Sequence, residues 1–528
     1  MRDFEKPGRS LVMARHGMAA TSHPLASLTA IEVLKAGGNA MDAAIAACAV
    51  QGVVEPGSTG IGGDCFALYS KAGTDDIVAF NGSGWAPAAA TPERMREQGV
   101  TQILRQSAHA VTVPGAVDAW STLLNDHGTR SLGEALQPAI RLAEEGFVVA
   151  PRAAFDWQNQ AGLLAAEPNA ARAYLPDGKA PAAGAIHRFP DMAATLRAIA
   201  SQGRNAFYSG DIAQGMVSFL QQRGGLHTLD DFVSYRGSYV QPIKSRFRDL
   251  DIYECPPNGQ GIIALLILNI LARFKAQGDA LSADRLHIEI EATRLAYSVR
   301  NALLCDPEHA DIDTAWLLSD ELADQLAARI DITAGPIDSA YVPPNHSDTV
   351  YICVVDKDRN CASFINSIFT PFGSGQMAPG GILLHNRGQG FELTPGHPNA
   401  IGPHKRPLHT IIPGMAVRNG RVQMPFGVMG GQYQAMGHAH FISKIADFGM
   451  DIQSAIDLPR VFPLPGTDQV EVERTVPNHI RQELIERGFT LVPPAGPIGG
   501  AQAVWIDWES GALHGASDPR KDGCALGY

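Results

Sequence analysis

Hydrophobic and polar positions alternate along this chain in two rhythms. PLASLTAIEVLKAGG is amphipathic at helical spacing and stops at Gly37-Gly38, where glycine accepts the left-handed conformation that ends helices. AMDAAIAACAVQGVV is apolar on nearly every side, the pattern of a fully buried helix. The loop EPGSTGIGGDCFALY follows and leads into a strand. Further helices are predicted over 131–146, 190–202, 210–223, 259–275, 282–304 and 315–330. From residue 349 strands take over. VYICVV and CASFINSIF flank DKDRN, and GMAVRNGRVQMPFG carries an Asn-Gly hairpin turn at 419–420. Helical spacing returns around 432–458. Strands in the middle with helices on both sides predict a layered α/β sandwich.

Composition narrows the function. The 528 residues are 45% hydrophobic and 18% charged, enough to bury a large core. A formal charge of −12 argues against nucleic-acid partners and against docking on an anionic membrane. The N-terminal stretch has scattered charges and no uninterrupted apolar region of the secretory kind. The most apolar run, IIALLILNILARF, is broken by Asn269 and too short to span a bilayer, so a core helix is expected. Seven scattered cysteines without a CxxC pair predict free, mostly buried thiols in a reducing compartment, hence a cytoplasmic protein. No repeat or composition break divides the chain.

The sharpest chemical feature lies in NHSDTVYICVVDKDRNCASFINSIF, where a polar tetrapeptide gives way to a strand at Thr349. With a five-residue loop from Asp356 to Asn360, Val355 faces Cys361 and Thr349 faces Ser367. A bulge would move the partner to Asn366 or Ile368. A threonine opening a strand is ordinarily no more than a β-branched residue suited to a sheet. The alternative is an N-terminal nucleophile. Cutting the Asp348–Thr349 bond would free an α-amine of pKa about 8 beside the hydroxyl it must deprotonate. The cut would be self-catalysed: Oγ attacks the Asp348 carbonyl, an ester forms, and water resolves it. Ser367 would hold the hydroxyl from the opposite strand.

The segment from Asp348 to Gly375 resembles the processing site of the γ-glutamyltranspeptidase family, N-terminal-nucleophile hydrolases with a four-layer αββα sandwich. GMAATSHPLAS, EVLKAGGNAMDAAIAA, GIGGDCFALY, VPGAVDAW, HKRPLHTIIP and FGVMGGQYQ match in order. The resemblance implies a precursor cut into a large subunit, 1–348, and a small subunit, 349–528, forming one αββα unit. It implies Thr349 as nucleophile, Ser367 as its partner and Gly430-Gly431 as the oxyanion donors. It implies no cofactor. A dimer of such heterodimers is left open.

Departures from the family pattern bear on the substrate. Two hydroxyls contact the substrate carboxylate in the family; the matching positions here are His409 and Thr410, so one hydroxyl remains. In FNGSGWAP, Ser83 and Gly84 stand where classical members carry an Arg-Glu pair that anchors the glutamyl α-carboxylate. Gly390 stands where the family has an aspartate for the α-amine. Without both anchors a glutamyl donor loses its main charge-assisted contacts. Arg387 lies nearby and suits a small substrate with a carboxylate and no amine; a structural ion pair is its plainer role. Asn366 and Ser83 join Arg387, His409 and Thr410 as candidate substrate-binding positions. NGSG, DTVY and FINS together are similar to the oxamate amidohydrolase branch, which implies hydrolysis of oxamate to oxalate and ammonia in purine and allantoin nitrogen recovery. The competing expectations are a γ-glutamyl hydrolase or transferase acting on glutathione, and an uncut relative that only binds a small acid.

Three other signals in the sequence carry less. GIGGD looks like a phosphate-cradling loop but lacks the Lys-Ser/Thr of a P-loop. His438 with His440, and His397 with His404, lack zinc-site spacing. Cys65 has no nucleophile's partners nearby in sequence and is expected to be a buried thiol.

Overall fold

Two seven-stranded sheets face each other between helices in the computed structural model, which describes residues 8–333, 335–336, 349–464 and 466–528. The first sheet runs Cys524–Gly527, Met18–Thr21, Val350–Val355, Cys361–Ser367, Asp64–Ser70, Ile77–Gly82 and Ser238–Val240, each pair antiparallel. The second runs Val12–Ala14, Leu513–Ser517, Gly500–Ile506, Arg421–Met429, Gly414–Arg418, Leu250–Glu254 and Ile243–Phe247.

Strand alternation explains the layers. In Val350–Val355, Ile352 and Val354 join the core beneath the helices, whereas Tyr351, Cys353 and Val355 join the core between the sheets. A strand buried on both faces reads as an unbroken apolar run, which is why VYICVV shows no polar alternation. Helices Pro24–Lys35 and Ala40–Val54 cover the first sheet, with Leu132–Glu145 packed on Ala40–Val54. Gly261–Leu271 and Gln434–Phe448 cover the second, with Ala283–Leu303 packed on Gly261–Leu271. The result is the expected αββα sandwich. Residues on both sides of position 348 contribute strands to both sheets, so 1–348 and 349–528 are interleaved parts of one unit.

Several local expectations hold. Gly37 takes φ +89° and donates to Leu34, while Gly38 donates to Val33, closing the first helix. Asn419 and Gly420 both have positive φ, as an Asn-Gly hairpin requires. Most of the 262–274 apolar run lies in the buried helix Gly261–Leu271, and no helix among the described residues is long and apolar enough to cross a membrane.

Others need correction. The helix expected over 315–330 is two, Thr314–Leu317 and Asp320–Ala327, because the Ser319 hydroxyl caps the second by accepting the Leu322 N–H. The 432–458 helix breaks at Gly449, in the left-handed region, and restarts behind Asp451, which caps Ile452–Asp457. Strands are also more numerous before residue 349 than the apolar rhythm indicates. Met18–Thr21 is short, and both its neighbours in the sheet, Val350–Val355 and Cys524–Gly527, are distant in sequence.

The histidine pairs have structural partners. His438 Nδ1 lies 2.6 Å from Glu254 and His440 Nδ1 lies 2.9 Å from Glu289. All seven cysteines are free, and Cys65 is buried.

Candidate active site

The hairpin ladder pairs Val350 with Asn366 and continues in even register to Val355 with Cys361. One step beyond its open end, Thr349 Oγ lies 3.1 Å from Ser367 Oγ. No bulge intervenes, so Ser367 is the cross-strand partner. The Ser367 hydroxyl also accepts the Phe369 N–H at 2.9 Å, which holds it in place. Asn366 points to the opposite face by the strand's period of two. Its Nδ2 donates to Thr59 Oγ1 and the Gly60 carbonyl, and its Oδ1 accepts from Trp120 Nε1. Its polar atoms are thus occupied away from Thr349. Asp348 lies outside the described residues.

Geometry also accounts for GIGGD. Ser367 pairs with Asp64 on the next strand, and a Cβ on Gly63 would stand 2.3 Å from the Ser367 carbonyl oxygen. The glycine lets the loop pack against the strand that holds the nucleophile's partner; no phosphate is needed to explain it.

The glycine pair follows the strand Arg421–Met429. Gly430 takes φ +121°, and a Cβ there would meet Gly499 Cα at 2.8 Å. Gly431 opens the 3₁₀ turn that runs straight into helix Gln434–Phe448. Backbone amides at a helix start favour negative charge, which suits an oxyanion. The Gly431 carbonyl accepts from Gln260 Nε2 at 3.0 Å. Arg300 Nη1 in turn donates to both Gln260 Oε1 and Gln432 Oε1, at 2.7 and 2.6 Å. Residues from before position 349 therefore brace the glycine turn. Gln434 completes the segment, with Nε2 3.4 Å from Thr349 Oγ.

Beside the nucleophile sheet, Asp64 is the hub of a buried charge cluster. It accepts the Gly84 N–H, the Gly115 N–H and His409 Nε2, and His385 Nδ1 lies 3.3 Å away. Burial alone would raise its carboxyl, but His385 and His409 outweigh that and hold it well below the usual range. Burial pushes His409 down to about 3, so it is neutral. Its Nδ1 accepts the Ile411 N–H, which leaves Nε2–H to donate to Asp64. Both ring nitrogens are engaged inside the protein. His409 is thus a support for Asp64 and offers no donor to a substrate.

Arg387 is fully buried over the Phe369 ring, 4.1 Å from guanidinium carbon to ring centre. Its Nη1 donates to Thr410 Oγ at 2.9 Å, and its Nε is 3.9 Å from Asp64 Oδ2. Nε and Nη2 have no hydrogen-bond partner among the described residues. Burial pushes this group down to about 9, which leaves it charged at neutral pH. Ser83, by contrast, donates to Asn81 Oδ1 and accepts from Asn258 Nδ2, so its hydroxyl belongs to an internal network.

Two cavities border these groups. A small one of about 40 Å³ is lined by Arg300, Phe369, Gly390, Thr410 and Gln432. A wider one of about 610 Å³ is lined by Gly430, Pro371, Phe155, Arg152 and Lys521. Of the positions predicted from sequence, Thr410 lines the small cavity and Gly430 the wide one, and Arg387 touches the small cavity's wall through Thr410 and Phe369; Asn366, His409 and Ser83 turn their polar atoms elsewhere. Asp64, Gln260, Arg300 and Gln434 were not anticipated. Asp64 and Gln434 do lie within matched segments, GIGGDCFALY and FGVMGGQYQ, so a signal for them was present.

Comparison with known proteins gives the family. Residues 26–528 match the family model described as Gamma-glutamyltranspeptidase. The chain is 38% identical over 526 residues to the glutathione hydrolase-like YwrD proenzyme of Bacillus subtilis, covering 98% of this chain and 99% of that one. It is 35% identical over 532 residues to the oxamate amidohydrolase proenzyme of Klebsiella pneumoniae, with the same coverage. A cephalosporin acylase from Bacillus halodurans superposes with a TM-score of 0.91 at 38% identity, covering 100% of this chain and 99% of that structure. The chain belongs to the gamma-glutamyltranspeptidase family and is one of its N-terminal-nucleophile amidohydrolases.

Proposed function

We propose that the chain cuts itself between Asp348 and Thr349 and then hydrolyses a small amide whose acyl part carries a carboxylate, with oxamate as the best candidate. In processing, Thr349 Oγ adds to the Asp348 carbonyl, the scissile nitrogen takes the proton, and water hydrolyses the resulting ester. The α-amine so released is the base of the mature enzyme. It accepts the Oγ proton as Oγ attacks the substrate carbonyl and passes it to the departing amine. Water, deprotonated by the same amine, then releases the acid.

The observation that carries the substrate reading is Arg387. A buried guanidinium held by Thr410, with two nitrogens lacking an acceptor among the described residues, is suited to a planar carboxylate. The 40 Å³ cavity favours a short acyl group. In oxamate the carboxylate is bonded directly to the amide carbonyl carbon, so little depth is required. Ser83, locked to Asn81 and Asn258, and Gly390, with no side chain, leave a glutamyl group without its two family anchors.

One observation favours the second reading, γ-glutamyl hydrolysis. The 610 Å³ cavity beside Gly430 has room for an amine far larger than ammonia. The deciding assay compares ammonia and oxalate release from oxamate with 4-nitroaniline release from a γ-glutamyl anilide, using the processed protein. Oxalate formation at the higher kcat/KM supports the first reading; faster anilide cleavage replaces it with the second.

A further inference from the structure

Among the described residues, Gln434 joins Ser367 at Thr349: its Nε2 lies 3.4 Å from Thr349 Oγ. The orientation of this amide is determined. Its Oε1 accepts the Ile412 N–H at 3.1 Å, so the NH₂ end must face the threonine. Gln434 is fully buried and is the first residue of helix Gln434–Phe448, three positions after Gly431. The donor to Thr349 thus sits on the same short turn as the glycine pair.

We propose that Gln434 is a catalytic residue that stabilises Thr349 Oγ when that oxygen carries negative charge. The inference rests on Thr349 being the nucleophile. When the acyl-enzyme is hydrolysed, water adds to the ester carbon and loses its proton to the α-amine. The tetrahedral intermediate then collapses. The C–Oγ bond breaks, its electron pair moves to Oγ, and the α-ammonium returns the proton there. Charge on Oγ peaks during this collapse, and an N–H already aimed at Oγ lowers its energy without reorganisation. Against the neutral hydroxyl the same donor makes only a long contact, so the interaction strengthens in the transition state, as catalysis requires. Self-processing passes through an ester on the same Oγ and needs the same help.

The test uses Gln434→Glu, which keeps an oxygen for the Ile412 N–H and removes the donor to Oγ, beside Gln434→Met, which removes both. With a chromogenic anilide of an accepted acyl group, amine release reports acylation, and quenched intact mass reports acyl groups on the 349–528 fragment. Both variants are expected to release amine in a burst, accumulate acyl-enzyme and turn over about a hundredfold more slowly, the scale for losing one such donor. Equal loss in acylation and deacylation, or no loss with Gln434→Glu, would overturn the proposal. Should a variant remain uncut, neutral hydroxylamine is expected to release a fragment beginning at Thr349 from an accumulated ester; resistance counts against the role. Turnover by Thr349→Ala would instead remove the nucleophile reading beneath it.

Discussion

Thr349 Oγ and Ser367 Oγ lie 3.1 Å apart, one register step past the last ladder pair of their hairpin. Ser367 also satisfies the buried Phe369 N–H. Ser367→Ala therefore removes a contact to the nucleophile and leaves a donor without its acceptor, a loss of about 1–3 kcal/mol. The expected outcome is processing and turnover slowed roughly five- to a hundredfold, with Ser367→Thr restoring most of the rate. Rates of precursor cutting and of amide hydrolysis, measured on both variants, check this.

Gly430 tests the oxyanion turn separately from the nucleophile. Its φ of +121° and the 2.8 Å approach of Gly499 Cα to an added Cβ leave no room for alanine. Gly430→Ala should displace the 430–431 amides and cut kcat by about 10²- to 10³-fold, the usual effect of losing an oxyanion donor. A variant that folds, as judged by circular dichroism, and retains full kcat would show that these amides do not serve the reaction.

Arg387 tests the substrate reading. Arg387→Lys retains a charge but loses the forked geometry that matches a carboxylate. For a carboxylate-bearing amide, kcat/KM is expected to fall about ten- to a hundredfold, from a charged hydrogen bond of about 1.5–3 kcal/mol. An uncharged amide of equal size should change little. The comparison separates binding from the support that Arg387 gives Asp64, which would affect both substrates alike.

Acid stability follows from buried histidines. Burial pushes His409 down to about 3, and His23, His227 and His440 down to about 4. Each is neutral in the fold but takes a proton in the unfolded chain below about pH 6.5. The unfolded state thus binds more protons, and stability falls as pH drops from 6.5 towards 4, by up to about 1.4 kcal/mol per pH unit for each histidine. Urea midpoints at pH 7 and pH 5 check this; equal stability at both would contradict it. His409→Asn should lessen the slope by one proton.

How much of this was legible in the sequence depended on distance along the chain. The Thr349–Ser367 pairing was readable because one five-residue loop sets the register of both strands. Helix Pro190–Gln202 was likewise readable from its own spacing. His409 was not: its role depends on Asp64, 345 positions away, and only the folded sheets bring the two together. The same holds for Ser83, whose hydroxyl is taken up by Asn258 from a distant loop. Asn366 was misassigned for a local reason, since the strand's alternation sends it to the face opposite Ser367. Gln434 lay inside the matched segment FGVMGGQYQ, but its role was not legible there, because a glutamine at a helix start is ordinary until Ile412 fixes its amide.

The central claim, that Thr349 becomes a new N-terminus and acts as the nucleophile, is tested most directly by intact mass and N-terminal sequencing of the purified protein and its Thr349→Ala variant. The account predicts fragments of 348 and 180 residues, the shorter beginning at Thr349, and an uncut, inactive variant of 528 residues. A variant that still cuts at this bond, or an uncut wild-type chain that hydrolyses amides, would contradict it.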